Sequence, residues 1–531
     1  MRRHAFFLAI FILAAASGFF ILFHSQTHVH SDESIIGLMG KHILDGRQHF
    51  VIYMYGQDYN AAAAWEAYLA AASFALFGVG VVPLKACILL LSLVCLACFY
   101  WMACTLFAPR TGPHTAALAA LVFALSPSLL KWHFQVRGYS FYFLSLPILT
   151  ALFLSIDSRP ARARRAFLFG LLSGLSMFSL ELVLPFIGTL WLLLGLRRKL
   201  SLRSALAGAA GFLAGYAPAI LFNFTHHFSN WRSAFLSRAG GLSITSANPS
   251  AGLFHSGTLV DIFLREMPKF FGPDTVLWYY PETPVLGWVL YLIALLSVAV
   301  ALWPFLRRPS NIVLALRGQL TNIGEDKDFL MLALIAACFV PYVVAPSRVP
   351  GYFLGGYFFL AVLMARLVER CLVDPSLQRR LLGVALITAI VAAGVAALVE
   401  VGAANQIETL TLVRVGKRLR YVMVRIPGRD IDAVESHLRQ NQIATVWTSP
   451  SFVYPLIFES RETLAVSSEV FGGDRDVYPD GVPRLRPTAG RRMAVVIESD
   501  SPYRPAVEAS RAKATGAAPV VTPCGALVII E

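Results

Sequence analysis

Repeated apolar runs, each near the length needed to cross a bilayer, constrain this chain more than any other feature. A spanning helix needs about 20 mostly apolar residues to cross roughly 30 Å of hydrocarbon. Residues 5–23, 86–107, 115–130, 139–156, 204–222, 285–305, 329–345, 352–368 and 382–401 each read as a span. The run 167–194 is too long for one span, and Glu181 and Pro185 near its middle predict two short helices meeting at the far side. The sum is about eleven spans; one long tilted helix at 167–194 would give ten and move the C-terminal tail to the other face. Only 14% of residues are charged, 57% are hydrophobic, and the mean hydropathy is +0.63. A soluble domain carries about 25% charged residues, so an ordinary soluble enzyme is excluded, as is a disordered chain. Seven cysteines in 531 residues are too sparse for a disulfide framework, and no zinc knuckle follows from their positions.

Charge divides the chain. Residues 1–401 read as a multi-spanning membrane domain, with a first outer loop at 24–80 and a large outer loop at 223–284. From Gly402 onward the charge density rises to that of a soluble domain. Lys and Arg crowd SRPARARR (158–165) and LRRKLSLR (196–203), which the positive-inside rule assigns to the cytoplasm. With the N-terminus inside, eleven spans place the tail outside. The sequence pI is 9.6, yet no basic stripe interleaved with aromatics marks a soluble nucleic-acid surface. Residues 1–23 read as a retained first helix, because the apolar run exceeds a signal peptide's 7–15-residue core. In the tail, 430–440 and 501–514 read as helices, and 443–448, 463–468, 493–498 and 526–531 as strands, which makes a small α/β domain.

Acids collect on the outer side: Asp32, Glu33, Asp45, Asp58 and Glu66 in the first loop, Glu181 at a helix junction, Asp261, Glu266, Asp274 and Glu282 in the large loop, and Glu400 after the last span. Acids at the bilayer centre would instead have suggested an ion relay. Ser31-Asp32-Glu33 followed by IIGLMGKHIL and Asp45-Gly46 predicts a helix with Ser31 as N-cap and a glycine stop. Two readings of its acids stand: they complement the helix dipole, or one is a general base at the water–lipid boundary. Glu66 falls in an interfacial helix predicted over 61–80, as a solvated acid or a site residue. Gln57, Asp58 and Tyr59 precede it, suited to sugar hydroxyls or to loop backbone. His28, His30 and Asp32 alternate as a metal site would, but the helix start at Ser31 breaks the alternation, and no metal is expected. Arg137 in KWHFQVRGY and Arg348 in PSRVPGY sit in tight outer turns, where each pairs with a phosphate or snorkels to headgroups. Asp474-Arg475-Asp476 resembles a metal-nucleotide DxD but reads as loop.

The first-loop motifs carry a resemblance. Asp32-Glu33, GLMGKHILDG (37–46), YGQDY (55–59), WEAYLAA (65–71) and FALFG (74–78) look like the pattern of C-type (GT-C) glycosyltransferases that use polyprenyl-phosphate sugars. The match is to the bacterial branch related to protein mannosyltransferases and the lipid A aminoarabinose transferase (glycosyltransferase family 39-like). RGYSFYFL (137–144), GLLSGLSMFS (170–179) and SRVPGYFL (347–354) are similar too. The resemblance implies a polytopic enzyme of the bacterial inner membrane that moves a sugar, with inversion, from a polyprenyl phosphate to a lipid, glycan or protein of the envelope. It implies Asp32 as general base with Glu33 beside it, and His42, Gln57, Tyr59, Glu66, Arg137, Tyr139, Arg348 and Tyr352 as substrate-binding residues, with no cofactor. One departure is that KWHFQVRGY lacks the acid that aminoarabinose transferases carry between their third and fourth spans, so Glu33 or Glu66 replaces it or the acceptor chemistry differs. A lipid or solute transporter is the rival class.

Overall fold

The computed structural model describes residues 4–24, 29, 31–49, 51–53, 55, 63–107, 112–132, 136, 138–158, 162–228, 262–271, 285–344, 353–403, 406–415, 418–468, 492–499, 501, 504–525 and 527–531. The first helices are α1 (Ala5–His24), α2 (Ser31–Leu44), α3 (Trp65–Phe77), α4 (Val81–Leu106), α5 (Gly112–Ala124), α6 (Pro127–Trp132) and α7 (Ser140–Asp157). Then come α8 (Ala163–Ser179), α9 (Leu184–Leu196), α10 (Leu202–Thr225), α11 (Met267–Phe270), α12 (Val285–Arg307), α13 (Ser310–Leu316), α14 (Ile323–Val344), α15 (Leu354–Val373) and α16 (Leu377–Ala403). The last helices are α17 (Gly428–Gln440), α18 (Pro450–Glu459) and α19 (Arg504–Thr515), interleaved with strands β1 (Gln406–Val415), β2 (Arg418–Pro427), β3 (Thr445–Thr448), β4 (Ala465–Ser467), β5 (Met493–Glu498), β6 (Val521–Cys524) and β7 (Leu527–Ile530).

Among the described residues, six helices are long and apolar enough to cross a membrane: α1, α4, α7, α10, α12 and α16. The chain is a helical, polytopic membrane protein with a small C-terminal sheet. The run at 115–130 is helical but broken: α5 stops at Ala124 and α6 restarts at Pro127, which lacks an amide hydrogen and disfavours helix in the residue before it. The 167–194 run divides as predicted, at Leu180, whose backbone is extended (φ −162°). A single 3-10 turn, Glu181–Val183, leads into α9.

The described chain falls into two compact units. Unit 1 comprises 1–18, 89–134 and 138–401, and unit 2 comprises 19–88, 135–137 and 402–531. In unit 1, α15 is buried without interruption from Leu354 to Ala365, as expected of a central helix that is apolar all round. Phe358 on α15 meets Phe123 of α5 at 4.7 Å and Phe143 of α7 at 5.8 Å, while Phe99 of α4 stacks on Phe123 at 4.5 Å. Leu90, Leu213, Leu221, Leu292 and Leu382 are exposed apolar side chains on the spanning helices, the surface that a bilayer covers. Helices α8 and α10 approach closest. A Cβ on Gly174 would stand 2.1 Å from the Phe212 carbonyl oxygen, and one on Gly211 the same distance from that of Phe167. At one end of the unit Arg197 donates to Asp157, to Asp326 at 2.8 Å and to the Ala315 carbonyl at 3.0 Å, and Asp328 accepts from Arg366 and Arg370.

Unit 2 holds a five-stranded sheet of order β4-β3-β5-β7-β6. Its strands β4, β3 and β5 run parallel, β7 runs antiparallel to β5, and the edge strand β6 pairs antiparallel with β7. Strands β1 and β2 form a separate antiparallel hairpin with Gln406 opposite Pro427. One apolar cluster joins both ends of the sequence: Ile36, Leu38 and Met39 of α2 and Ala67, Ala70 and Phe74 of α3 with Val434 and Leu438 of α17, Phe452 and Phe458 of α18, Val446 of β3 and Val496 of β5. The tail elements predicted from sequence are all present where described. The hairpin, α18 and β6 are additional to them.

Candidate active site

The site is built on α2. Asp32 and Glu33 occupy its first turn and Lys41 and His42 its last; both placements suit the helix dipole. The helix stops as predicted. The Gly46 amide reaches the Ile43 carbonyl at 3.2 Å with φ +68°, and the Arg47 amide bonds the His42 carbonyl at 2.9 Å. Two glycines explain the GLMG segment: a Cβ on Gly37 would lie 2.5 Å from the Phe458 ring, and one on Gly40 would lie 2.8 Å from the Ala70 side chain. Helix α2 therefore beds closely against α18 on one side and α3 on another.

The adjacent acids have different surroundings. Asp32 is exposed. Glu33 is 2% exposed, with Lys85 Nζ of α4 at 3.4 Å from Oε1, and it accepts the Val136 amide at 3.0 Å. A buried carboxylate needs both a counter-charge and hydrogen bonds to be tolerated, and Glu33 has both. Glu66, in the first turn of α3, is likewise 2% exposed, which removes the reading of it as a solvated acid.

At the far end of α2, His42 is fully buried. Its Nδ1 lies 2.9 Å from the Tyr55 hydroxyl and its Nε2 2.9 Å from Glu462 Oε1. Glu462 Oε2 also accepts from Lys41 and, at 3.2 Å, from Arg47, while Lys41 reaches Asp45 at 3.1 Å. Burial alone would raise the Glu462 carboxyl, but hydrogen bonds from His42 and Lys41 and their charges hold it down at about 2. Burial, then the Glu462 charge, push the Tyr55 hydroxyl above its ordinary value, so it stays protonated. Ion pairs thus tie α2 to the turn after α18, more than 400 residues later.

Of the other residues expected at the site, Tyr139 belongs to unit 1, half-buried where its carbonyl accepts the Phe143 amide at the start of α7. Gln57, Tyr59, Arg137, Arg348, Tyr352, His28, His30 and the Asp474-Arg475-Asp476 triplet lie outside the described residues. Sequence reasoning missed Lys85, although a lone Lys in VVPLKACILL was a readable signal, since charges in apolar spans are rare and tend to be paired. It also missed Glu462 and Tyr55, for which no local pattern exists. Among the described residues, no group of three or more His, Cys, Asp or Glu gathers as a metal site would. What the arrangement offers is an exposed carboxylate on α2 next to a buried acid that pairs with a lysine of α4.

Two solved structures share the architecture along nearly the whole chain. The crystal structure of ArnT from Cupriavidus metallidurans bound to undecaprenyl phosphate matches with a TM-score of 0.58 and 13% identity, covering 98% of this chain and 97% of that one. The crystal structure of the same protein in the apo state matches with a TM-score of 0.57 and the same 13% identity and coverage. No protein-family model matches the chain, and no curated protein matches it in sequence. The chain shares the fold of ArnT.

Proposed function

We propose that the chain transfers a sugar from a polyprenyl-phosphate donor to an envelope lipid, glycan or protein on the outer face of the bacterial inner membrane. The observation that carries this reading is the first turn of α2, where exposed Asp32 stands next to Glu33, itself buried against Lys85. A likeness in fold to a structure that holds undecaprenyl phosphate makes polyprenyl-phosphate sugars the first donors to test.

Asp32 accepts the proton of the acceptor hydroxyl while that oxygen attacks the anomeric carbon from the face opposite the phosphate. The bond from this carbon to the phosphate oxygen breaks, polyprenyl phosphate leaves with the electron pair, and the anomeric configuration inverts. Charge grows on the departing phosphate, where cations fixed in a low-dielectric setting are most effective. Lys85, oriented by Glu33, is one such cation, and the sequence assigns Arg137 and Arg348 to the same phosphate. Gln57, Tyr59, Glu66, Tyr139 and Tyr352 are assigned to sugar and lipid contacts, and His42 supports α2 from behind.

The topology that goes with this has the N-terminus in the cytoplasm, residues 1–401 as the membrane transferase domain and 402–531 outside as an α/β domain. It is supported by the ion pairs of Arg197 with Asp157 and Asp326, since Arg197 lies in one of the two basic segments that charge assigns to the inner side and Asp157 adjoins the other.

Asp32→Asn in the purified, folded protein is expected to lower transfer by about 10²–10⁴-fold while undecaprenyl phosphate still binds. Released polyprenyl phosphate is the readout. Full transfer by this variant would remove the base assignment, and vectorial lipid movement without a new glycosidic bond would favour a transporter.

A further inference from the structure

The turn that ends α18 is unusual in two ways. Arg461 and Glu462 are consecutive non-glycine residues in the left-handed region, at φ +54° and +65°, backbone that favours glycine. The turn is pinned by backbone hydrogen bonds from the Arg461 amide to Phe458 at 2.9 Å and from the Glu462 amide to Ile457 at 2.8 Å. This geometry aims the Glu462 carboxylate at α2, where each of its oxygens is used. Oε1 meets His42, and Oε2 meets Lys41 and Arg47. A long acid held in strained backbone and engaged by three residues of another segment has a role that a glycine could not fill.

We propose that Glu462 is a positioning residue for the outer-face chemistry: through His42, Lys41 and Arg47 it fixes the rotation and height of α2, and with them Asp32. This rests on the assignment of Asp32 as base. Three features make α2 a rigid lever. Gly37 lets Phe458 sit directly on the helix, so the Glu462 contacts and the apolar contact act at successive turns. Gly40, on the neighbouring face one turn along, lets α3 close on the helix. Glu33 anchors the first turn through Lys85 and the Val136 amide. Release of the Glu462 end frees the last turn, and a rotation there carries through a helix of 14 residues to the reacting carboxylate.

The experiment uses the full chain in nanodiscs and compares wild type, Glu462→Gln, Glu462→Asp and Arg47→Gln. Gln keeps the size of the side chain and removes its charge; Asp keeps the charge and tolerates left-handed backbone. Hydrogen exchange of the amides at 37–47 is expected to quicken about tenfold in Glu462→Gln, with kcat falling about tenfold or more and KM changing less than about threefold, because misplacement costs rate rather than binding. Glu462→Asp is expected to restore most of the rate. Arg47→Gln, which removes one half-exposed partner, shifts exchange in the same direction by a smaller factor and serves if Glu462→Gln does not fold. Unchanged exchange at 37–47 overturns the tether, and faster exchange with unchanged kcat overturns its role in positioning. If the wild type turns over no donor from a panel of polyprenyl-phosphate hexoses and pentoses, the transferase reading fails, and exchange alone upholds or overturns the tether.

Discussion

At Glu435 and Glu462 the protein places two carboxyls of the same segment on opposite sides of the ordinary glutamate value of 4.5. Burial, reinforced by the neighbouring Glu459, pushes Glu435 up to about 8. The folded state therefore holds a proton that the unfolded chain releases, and stability from this site falls as pH rises from about 4.5 to 8. Glu462, held at about 2, works in reverse: its stabilisation is complete above about 4.5 and is lost as pH falls towards 2. Glu435→Gln is expected to raise the midpoint of thermal unfolding at pH 8.5 by a few degrees, to change it little at pH 5 and to flatten the alkaline limb. A midpoint equally shifted at both pH values would show that proton linkage is not the cause. The residue scale is also where sequence reading reached its limit. Asp32 and Glu33 were legible as paired acids at a helix start, but what separates them is Lys85, 52 residues along, and the Val136 amide. Glu462 was illegible because its partners Lys41, His42 and Arg47 lie more than 400 residues earlier.

Among elements, the α8–α10 pair carries the sharpest steric demand. Gly170 and Gly174 on one helix and Gly211 and Gly215 on the other are each spaced four apart, and a Cβ at any of them would meet the facing backbone at 1.9–2.1 Å. Backbone cannot retreat as a side chain can, so the helices would have to part and give up their van der Waals contact. Gly174→Leu or Gly211→Leu is expected to cost about 3 kcal/mol or more, seen as a lower yield of monodisperse protein and a lower melting midpoint than Gly188→Leu, whose Cβ would meet open space. Equal yields for the three would refute the packing argument. The small-residue spacing was readable in GLLSGLSMFS, whereas its partner was not. The long apolar runs were legible as helices from hydropathy alone, because lipid imposes helix on them, but their bounds were not: 115–130 breaks before Pro127, and α4, α14 and α16 begin at Val81, Ile323 and Leu377, ahead of the expected 86, 329 and 382. Helix α18 was missed for a physical reason: Pro450 and Pro455 argue against helix, yet one sits at the start, where its absent amide is harmless, and the surrounding core decides the rest.

On the scale of the molecule, unit 2 is assembled from both ends of the chain, and neither end supplies a complete core. Residues from Val29 to Val136 provide one side of the apolar cluster and Ile431 to Ile529 the other. Removal of 402–531 is expected to leave α2 and α3 uncovered, to make residues 31–88 sensitive to protease in nanodiscs and to abolish transfer, while the helices of unit 1 remain protected. Protection of 31–88 equal to that of the full chain would show that the first loop folds unaided. The tail's soluble composition was plain in the sequence. Its partnership with the first loop was not, since a shared core leaves no mark on either segment read separately.

Because that core is divided between the start and the finish of the polypeptide, the order of biosynthesis matters. The ribosome delivers α2 and α3 before the strands and helices that cover them, so the loop waits, apolar face bare, while the residues between are made. A product cut short by a premature stop would reach the bilayer with Asp32 on an unbraced helix. Only a chain carried through β7 can close the apolar cluster over α2 and α3.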